Sequence, residues 1–197
     1  DLAERTPSFS HMDRYFGREA GDGHTRMTLL KLAGLLHDMG KPATKTVEAT
    51  GRIRFLGHHQ VGAEMADRAL SALRMSRKAV DHVSSMVRHH LRPGQLSQDG
   101  EPPTRRALYR YYRDLGDGGV DTVYLNLADY LGARGRLIGR QEWSERCAIM
   151  SGILEAGLAP SEPDRPRSLI DGNDIMKTFD LTPGPVIGEL LELVLEA

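Results

Sequence analysis

Five residues of the kinds that bind divalent metal ions are spread along the chain: His37, Asp38, His58, His90 and Asp129. Imidazole nitrogens and carboxylate oxygens are suitable ligands for Mg, Mn, Fe or Zn. Three histidines and two aspartates at one site would suit two ions, with one aspartate able to bridge them. Two ions about 4 Å apart hold a phosphate between them and lower the pKa of water. These residue types therefore predict phosphoester hydrolysis, on condition that the fold brings them together.

A buried helix is predicted to deliver the first two of these side chains. Apolar residues recur at helical spacing over 26–39, and Gly40 and Pro42 follow as stop signals. His37 and Asp38 would then lie side by side at the C-terminal end of this helix. The alternative is that they only cap the helix and bond to its backbone.

Asp129 is predicted to lie inside a helix rather than at a helix end. Its neighbours Leu127, Ala128 and Leu131 are apolar. A carboxylate in such surroundings is costly unless it is paired or coordinated. This setting favours a metal ligand or an ion-pair partner at position 129.

The remaining pattern predicts a chain of seven or eight helices with almost no sheet. Residues 1–25 are expected to form loop, with at most a short helix over 11–18, and His11 and His24 are expected at the surface. A short β-hairpin is predicted over 47–56. Further helices are predicted over 61–73, 77–90, 105–115, from 121 or 122, over 142–158, and as a hairpin over 172–196.

Helix caps and apolar faces follow from the same pattern. Ser76 and Thr104 are predicted N-caps of the helices that follow them. The helix over 77–90 is predicted to bury Val80, Val83 and Val87. For the helix over 61–73, apolar residues four apart define the predicted core face: Val61, Met65, Ala69 and Leu73.

Composition restricts the class of protein. A chain of 197 residues is long enough for a sizeable core, and its net charge of -1 excludes a basic field over the whole chain. Cys147 is the only cysteine, so disulfides do not hold the fold and a cytoplasmic location is expected. No apolar run reaches the ~18 residues of a membrane span. The chain is expected to be part of a longer protein.

Several stretches resemble a known family. HDMGKP after an apolar helix, followed by GHH, HHLRP and LAD, resembles the HD superfamily of metal-dependent phosphohydrolases. The stretches PTRRALYRYYRDLG and LIDGNDIMKTFDLTPGPVIGELLE extend the resemblance to the C-terminal part of the tRNA nucleotidyltransferase / poly(A) polymerase family. The resemblance runs from about residue 27 to the end.

The resemblance implies an all-α fold, an HD-domain helical bundle over 26–158, joined by a linker over 159–169 to a helical tail over 170–197. It assigns His37 and Asp38 to the HD pair, with Asp38 bridging, and it implies a divalent ion such as Mg, Mn, Ni, Fe or Zn. His58, His90 and Asp129 complete the implied ligands, with His89 as the rival of His90. Lys41 would hold substrate phosphate; the alternative is a solvated lysine at a helix end.

Basic residues suggest where an RNA end would bind. Arg88, Arg92, Arg105 and Arg106 could form a basic rim, although each could be an ordinary surface arginine. The helix over 104–113 mixes arginines and tyrosines and suits RNA contact by charge and stacking. The alternative is a packed amphipathic helix with half-buried tyrosines.

Two departures from the family pattern bear on function. The superfamily usually places a first ligand histidine on a helix upstream of the HD pair, and here only His11 or His24 could take that role, so this ligand is expected before Asp1. The nucleotidyltransferase head, with its phosphate loop and Asp-x-Asp pair, is also lacking, so nucleotide addition is not expected of this chain.

Three functions follow from the sequence. The first is phosphomonoesterase or 2′,3′-cyclic phosphodiesterase activity. The second is binding of tRNA or another RNA for a nucleotidyltransferase head, with a vestigial HD site. The third is a dimer or interdomain contact made by the apolar hairpin over 170–195.

Overall fold

A computed structural model describes residues 3–97, 101–159 and 171–196. The chain divides into two compact units, Asp1–Pro160 and Ser161–Ala197. The predicted linker over 159–169 lies outside the described residues except for residue 159. The predicted domain boundaries therefore stay a prediction.

The first unit is helical apart from two short hairpins, as the all-α prediction requires. Its helices are α1 (Met12–Gly17), α2 (Arg26–Leu36), α3 (Lys41–Thr44), α4 (His58–Ala72), α5 (Arg77–His89), α6 (Arg92–Gln95), α7 (Arg105–Leu115), α8 (Gly119–Arg134) and α9 (Arg140–Leu158). Its strands are β1 (Glu19–Gly21), β2 (His24–Thr25), β3 (Lys45–Val47) and β4 (Ile53–Phe55). Single 3₁₀ turns occupy Ala3–Arg5, Gly116–Gly118 and Gly135–Leu137.

The predicted hairpin over 47–56 is confirmed, since β3 and β4 pair antiparallel with Thr46 opposite Arg54. The prediction of loop over 1–25 is wrong in one respect. The strands β1 and β2 form a second hairpin there. Phe16 and Ala20 are buried, so this segment packs on the body of the unit.

The helix α2 lies at the centre of the first unit and packs against both α5 and α8. Thr25 caps it by accepting a hydrogen bond from the Thr28 amide at 3.2 Å. Leu29 and Ala33 are fully buried. The helix ends at Leu36, three residues before the predicted end at 39, because a turn over 37–40 follows it.

The predicted core face of α4 is wrong. Leu73 is 74% exposed, and Ala69 is also exposed. The buried face instead consists mainly of small residues: Gly62, Ala63, Ala66 and Leu70. The physical reason is close approach, since α4 packs closely along α5 and only small side chains fit between the two helices.

The predicted N-caps of α5 and α7 and the predicted buried face of α5 are confirmed. Ser76 and Thr104 accept hydrogen bonds from the amides three residues later. Val80, Val83 and Val87 are buried along α5. On α7, Tyr111 and Tyr112 are buried, and their hydroxyls donate to the carbonyls of Gly119 and Ile153. Base stacking on these two tyrosines is therefore excluded.

A buried ionic network fixes the start of α2 against α5 and α8. The Arg26 guanidinium, 4% exposed, lies 3.0 Å from a carboxylate oxygen of Asp121, which is fully buried. His82 reaches the same carboxylate at 2.8 Å, and Asp117 pairs with Arg26 at 2.6 Å. A buried charge is tolerated only with such partners.

The second unit is a helical hairpin, as the tail sequence predicts. It consists of α10 (Gly172–Phe179) and α11 (Pro185–Glu196). The Asp171 side chain accepts hydrogen bonds from two backbone amides at the start of α10 and forms a capping box with Asp174. Ile175 is buried between the helices, whereas Phe179 is exposed. Within the described residues, no helix combines the length and apolarity required to cross a membrane.

Candidate metal centre

The structure brings together all five metal-ligand candidates: His37, Asp38, His58, His90 and Asp129. One group consists of Asp38, His58 and His90, and a second consists of His37, Asp38 and Asp129. The ligand atoms in each group lie within 4.8 Å of one another. Asp38 belongs to both groups and thus joins them.

Helix ends place four of these side chains. His37 follows α2, Asp38 lies in the next turn, His58 begins α4 and His90 follows α5. Asp129 projects from within α8. This arrangement matches the sequence prediction. Four candidates lie at or beside helix ends, and Asp129 lies inside a helix.

Gly40 allows the turn after α2 to lie directly on the first turn of α4. A Cβ atom at this position would lie 2.6 Å from the Gly62 amide nitrogen, which is closer than real Cβ atoms come. Gly57, with a φ of 74°, makes the left-handed turn that starts α4 beneath it. This contact of backbone on backbone holds Asp38 next to His58.

Backbone carbonyls fix the orientation of all three histidine rings. The Nδ1 atoms of His37, His58 and His90 lie 2.8, 2.8 and 2.6 Å from the carbonyl oxygens of Gly34, Phe55 and Val87. A carbonyl can only accept a hydrogen bond, so each Nδ1 carries the proton. With Nδ1 engaged in this way, Nε2 is the ring atom that faces the site and the one that would bind a metal ion.

These Nε2 atoms converge. The Nε2 atoms of His58 and His90 are 3.4 Å apart, and Nε2 of His58 is 3.4 Å from Oδ1 of Asp38. Nε2 of His37 lies 3.3 Å from an oxygen of Asp38 and 3.3 Å from an oxygen of Asp129. Lone pairs facing one another at this distance repel unless a proton or a cation lies between them.

Two buried ligand atoms have no hydrogen-bond partner in the described part of the chain, Nε2 of His37 and Oδ1 of Asp38. The contacts of His37 with the two carboxylates satisfy the distance of an ion pair but not the geometry of a hydrogen bond. An unpartnered buried polar atom is costly. A divalent ion would satisfy both atoms, so the donor set fits such an ion.

The pKa shifts at the site show that His37 and Asp129 are coupled, while His90 is shifted by its burial. The contact with Asp129 raises the pKa of His37, although burial opposes this. The contact with His37 correspondingly lowers the pKa of Asp129. Burial lowers the pKa of His90 to about 4, so this ring stays neutral at pH 7.

Lys41, the first residue of α3, lies beside the ligand groups. Its Nζ atom is 2.5 Å from Oδ2 of Asp38 and 5.8 Å from the centre of the Phe55 ring. The lysine is therefore not simply solvated. Its side chain is 38% exposed, so solvent reaches it.

Sequence reasoning missed the residues that hold the backbone carbonyl of His90 in place. The Asn126 amide, on α8, donates to the His90 carbonyl at 2.7 Å and accepts from Arg146 at 2.7 Å. The guanidinium of Arg146 lies 3.8 Å from the centre of the Tyr130 ring. A buried asparagine three positions before Asp129 was the available signal, since it lies one helical turn from a candidate ligand.

The basic rim of four phosphate-binding arginines stays a prediction. Arg88 and Arg92 line a common cavity, and Arg92 also pairs with Asp114 at 2.8 Å. Arg105 and Arg106 lie in the first turn of α7 and do not line that cavity.

The other histidines named from the sequence lie outside both ligand groups. His89 faces the cavity of Arg88 and Arg92, so the geometry favours His90 over this rival. His11 and His24 are exposed, as predicted for surface residues. Neither of them belongs to a ligand group in the described part of the chain.

Comparison with known families identifies this arrangement. The family model of the HD domain matches residues 11–133. The chain belongs to the HD domain family. The match includes all five candidate ligands of this HD domain, from His37 to Asp129.

Two characterised relatives extend the similarity beyond the HD match. The chain is 38% identical over 168 residues to a CC-adding tRNA nucleotidyltransferase of Thermus thermophilus, covering 85% of this chain and 35% of that protein. It is 35% identical over 170 residues to an A-adding tRNA nucleotidyltransferase of Deinococcus radiodurans, covering 86% of this chain and 37% of that protein. The chain thus spans little more than a third of the length of either relative.

Proposed function

We propose that this HD domain is a metal-dependent phosphohydrolase that acts on phosphomonoesters or on 2′,3′-cyclic phosphodiesters of nucleotides or RNA ends. One observation carries the proposal: the Nε2 atoms of three histidines and the carboxylates of two aspartates converge, and two of these atoms, Nε2 of His37 and Oδ1 of Asp38, are buried without a hydrogen-bond partner among the described residues. We propose His37, Asp38, His58, His90 and Asp129 as metal ligands, with Asp38 shared between two ions.

The proposed reaction is addition of water across a P–O bond. A phosphomonoester gives an alcohol and inorganic phosphate, and a cyclic diester gives a monoester. Bound divalent ions supply Lewis-acid stabilisation of the phosphate and a more acidic water. His37, His58 and His90 would hold the ions through imidazole nitrogens, which add no negative charge that would repel the substrate.

Lys41 has a proposed role in holding the phosphate. Its ammonium lies beside Asp38 and its side chain is partly exposed, so it could move to an oxygen of the substrate. A lysine acts there as a point charge on a flexible stem. Lys41 is therefore proposed as a catalytic residue together with Asp38.

Hydrolysis by the manganese-loaded chain tests the proposal. Release of phosphate from adenosine 3′-phosphate and ring opening of adenosine 2′,3′-cyclic phosphate would be measured for the wild type and for Asp38→Ala. Asp13→Ala, which removes an exposed carboxylate on α1, is the matched control. Activity in the wild type and the control but not in Asp38→Ala is expected. Equal activity in Asp38→Ala would refute the assignment.

A second candidate function is RNA binding for a nucleotidyltransferase head. The similarity to two tRNA nucleotidyltransferases over 85% and 86% of this chain favours it. We propose tRNA as the partner in that case. Binding of tRNA by the chain in chelator, unchanged by Asp38→Ala, would support this function, and its absence at micromolar protein would exclude it.

A further inference from the structure

A small cavity lies next to the metal centre and is lined almost entirely by nitrogen-bearing side chains. We call it the anion cavity, and its polar lining consists of His59, Gln60, Arg88, His89, Arg92 and Gln95. No carboxylate lines it within the described residues. Its volume is about 140 Å³. A water in the liquid takes about 30 Å³, so the cavity suits a phosphate group and is too small for a nucleoside.

Two arginines make the lining positive, and contacts within the protein occupy only some of the hydrogen-bond donors of the lining. Arg88 forms no ion pair with any carboxylate of the described residues. Arg92 pairs with Asp114 through one nitrogen, while a guanidinium has five N–H groups. Nδ1 of His59 is buried and lacks a hydrogen-bond partner in the described part of the chain. An oxyanion would satisfy these donors.

The anion cavity is joined to the metal centre through two pairs of consecutive histidines. His59 follows His58 at the start of α4, and the two ring centres are 5.8 Å apart. His89 precedes His90 at the end of α5. In each pair one ring faces the metal ligands and the next one lines the anion cavity. Groups bound at the two places would therefore be near neighbours.

We propose that the anion cavity binds a second phosphate group of the substrate, beside the phosphate that reacts at the metal centre. This inference rests on the proposed hydrolase function. It narrows the substrate class to molecules with two neighbouring phosphates, such as nucleoside bisphosphates or RNA ends with a terminal phosphate and an adjoining phosphodiester.

The first test is binding of inorganic phosphate to the chain in chelator, followed by NMR at constant ionic strength. Without metal, the carboxylates of Asp38 and Asp129 repel phosphate from the metal centre. Saturable shifts of the amides of residues 59, 60 and 88–92 are expected. Arg88→Gln should weaken binding by about tenfold, the lower limit for a hydrogen bond to a charged group. Arg14→Gln, which changes an exposed arginine on α1, is the matched control and should leave binding unchanged.

Equal binding by the Arg88→Gln and Arg14→Gln variants, or shifts that do not saturate, would overturn the inference. The second test compares hydrolysis of adenosine 3′-phosphate with that of adenosine 3′,5′-bisphosphate in manganese. Arg88→Gln should raise KM for the bisphosphate alone. Equal changes for both substrates would refute the anion cavity, whereas phosphate binding in chelator without hydrolysis of either nucleotide would refute the hydrolase function.

Discussion

Asn126 holds the backbone of His90 through a hydrogen bond of 2.7 Å from its side-chain amide to the His90 carbonyl. Arg146 fixes the asparagine in turn. Asn126 is 4% exposed, so water does not replace it as a partner. The position of one candidate ligand on α5 is therefore tied to α8, which carries another candidate ligand, Asp129.

The Asn126→Ala variant should bind manganese more weakly while keeping its fold. Loss of an outer support of this kind typically lowers metal affinity by about 10- to 100-fold. Calorimetric titration of the chelator-treated protein would measure the change, and circular dichroism would verify the fold. Asn173→Ala, at an exposed position on α10, should keep the wild-type affinity. Equal affinity of the two variants would show that Asn126 does not position His90.

Leu70 and Leu73 test the corrected face of α4. Leu70 is 1% exposed and Leu73 is 74% exposed. The Leu70→Ala variant should lose about 2–5 kcal/mol of unfolding free energy, because a buried cavity replaces the side chain. The Leu73→Ala variant should change by less than about 0.5 kcal/mol. Urea denaturation followed by Trp143 fluorescence measures both, and the reverse order would contradict the packing.

Asp121 tests the buried ionic network. The Asp121→Asn variant leaves the buried guanidinium of Arg26 with only the exposed Asp117 as a partner, so a loss of about 3 kcal/mol is expected. Asp81→Asn, which removes an exposed partner of Arg77, should cost at most about 1 kcal/mol. Denaturation curves of the two variants provide the comparison. Similar losses would show that burial of the network contributes little.

Cys147 should react only when the chain unfolds. Its thiol is 4% exposed. Burial also raises its pKa from 9.0 to about 11. The folded state therefore holds this proton more tightly, and the contribution to stability is present below pH 9 and is lost as the pH rises toward 11. Labelling by iodoacetamide at pH 8 should begin only at denaturant concentrations where Trp143 fluorescence changes. Rapid labelling of the native chain would contradict this.

The sequence predicted those features that depend on local chemistry. The caps at Ser76 and Thr104 and the hairpin of β3 and β4 follow from short-range hydrogen bonding and turn residues. The five candidate ligands were found because histidine and aspartate are the appropriate ligand types and occur in the order that the resemblance implies. Their meeting in space was not predictable from spacing alone.

The features that sequence reasoning missed depend on distant contacts. The buried face of α4 is set by the closeness of α5, which favours Gly62 and Ala66 over the larger apolar side chains nearby. The hairpin of β1 and β2 packs on α5 and α2, and nothing in its own sequence required that. Asn126 has a structural role only because α8 packs against α5, which brings its amide to the His90 carbonyl.

Metal content per chain, measured by elemental mass spectrometry after purification without chelator, tests the central claim most directly. The wild type and the Asp13→Ala control should carry one or two transition-metal ions per chain. Asp38→Ala should carry none, because Asp38 belongs to both ligand groups. Equal metal content in Asp38→Ala, or no metal in the wild type even after dialysis against manganese, would contradict a metal centre at these residues.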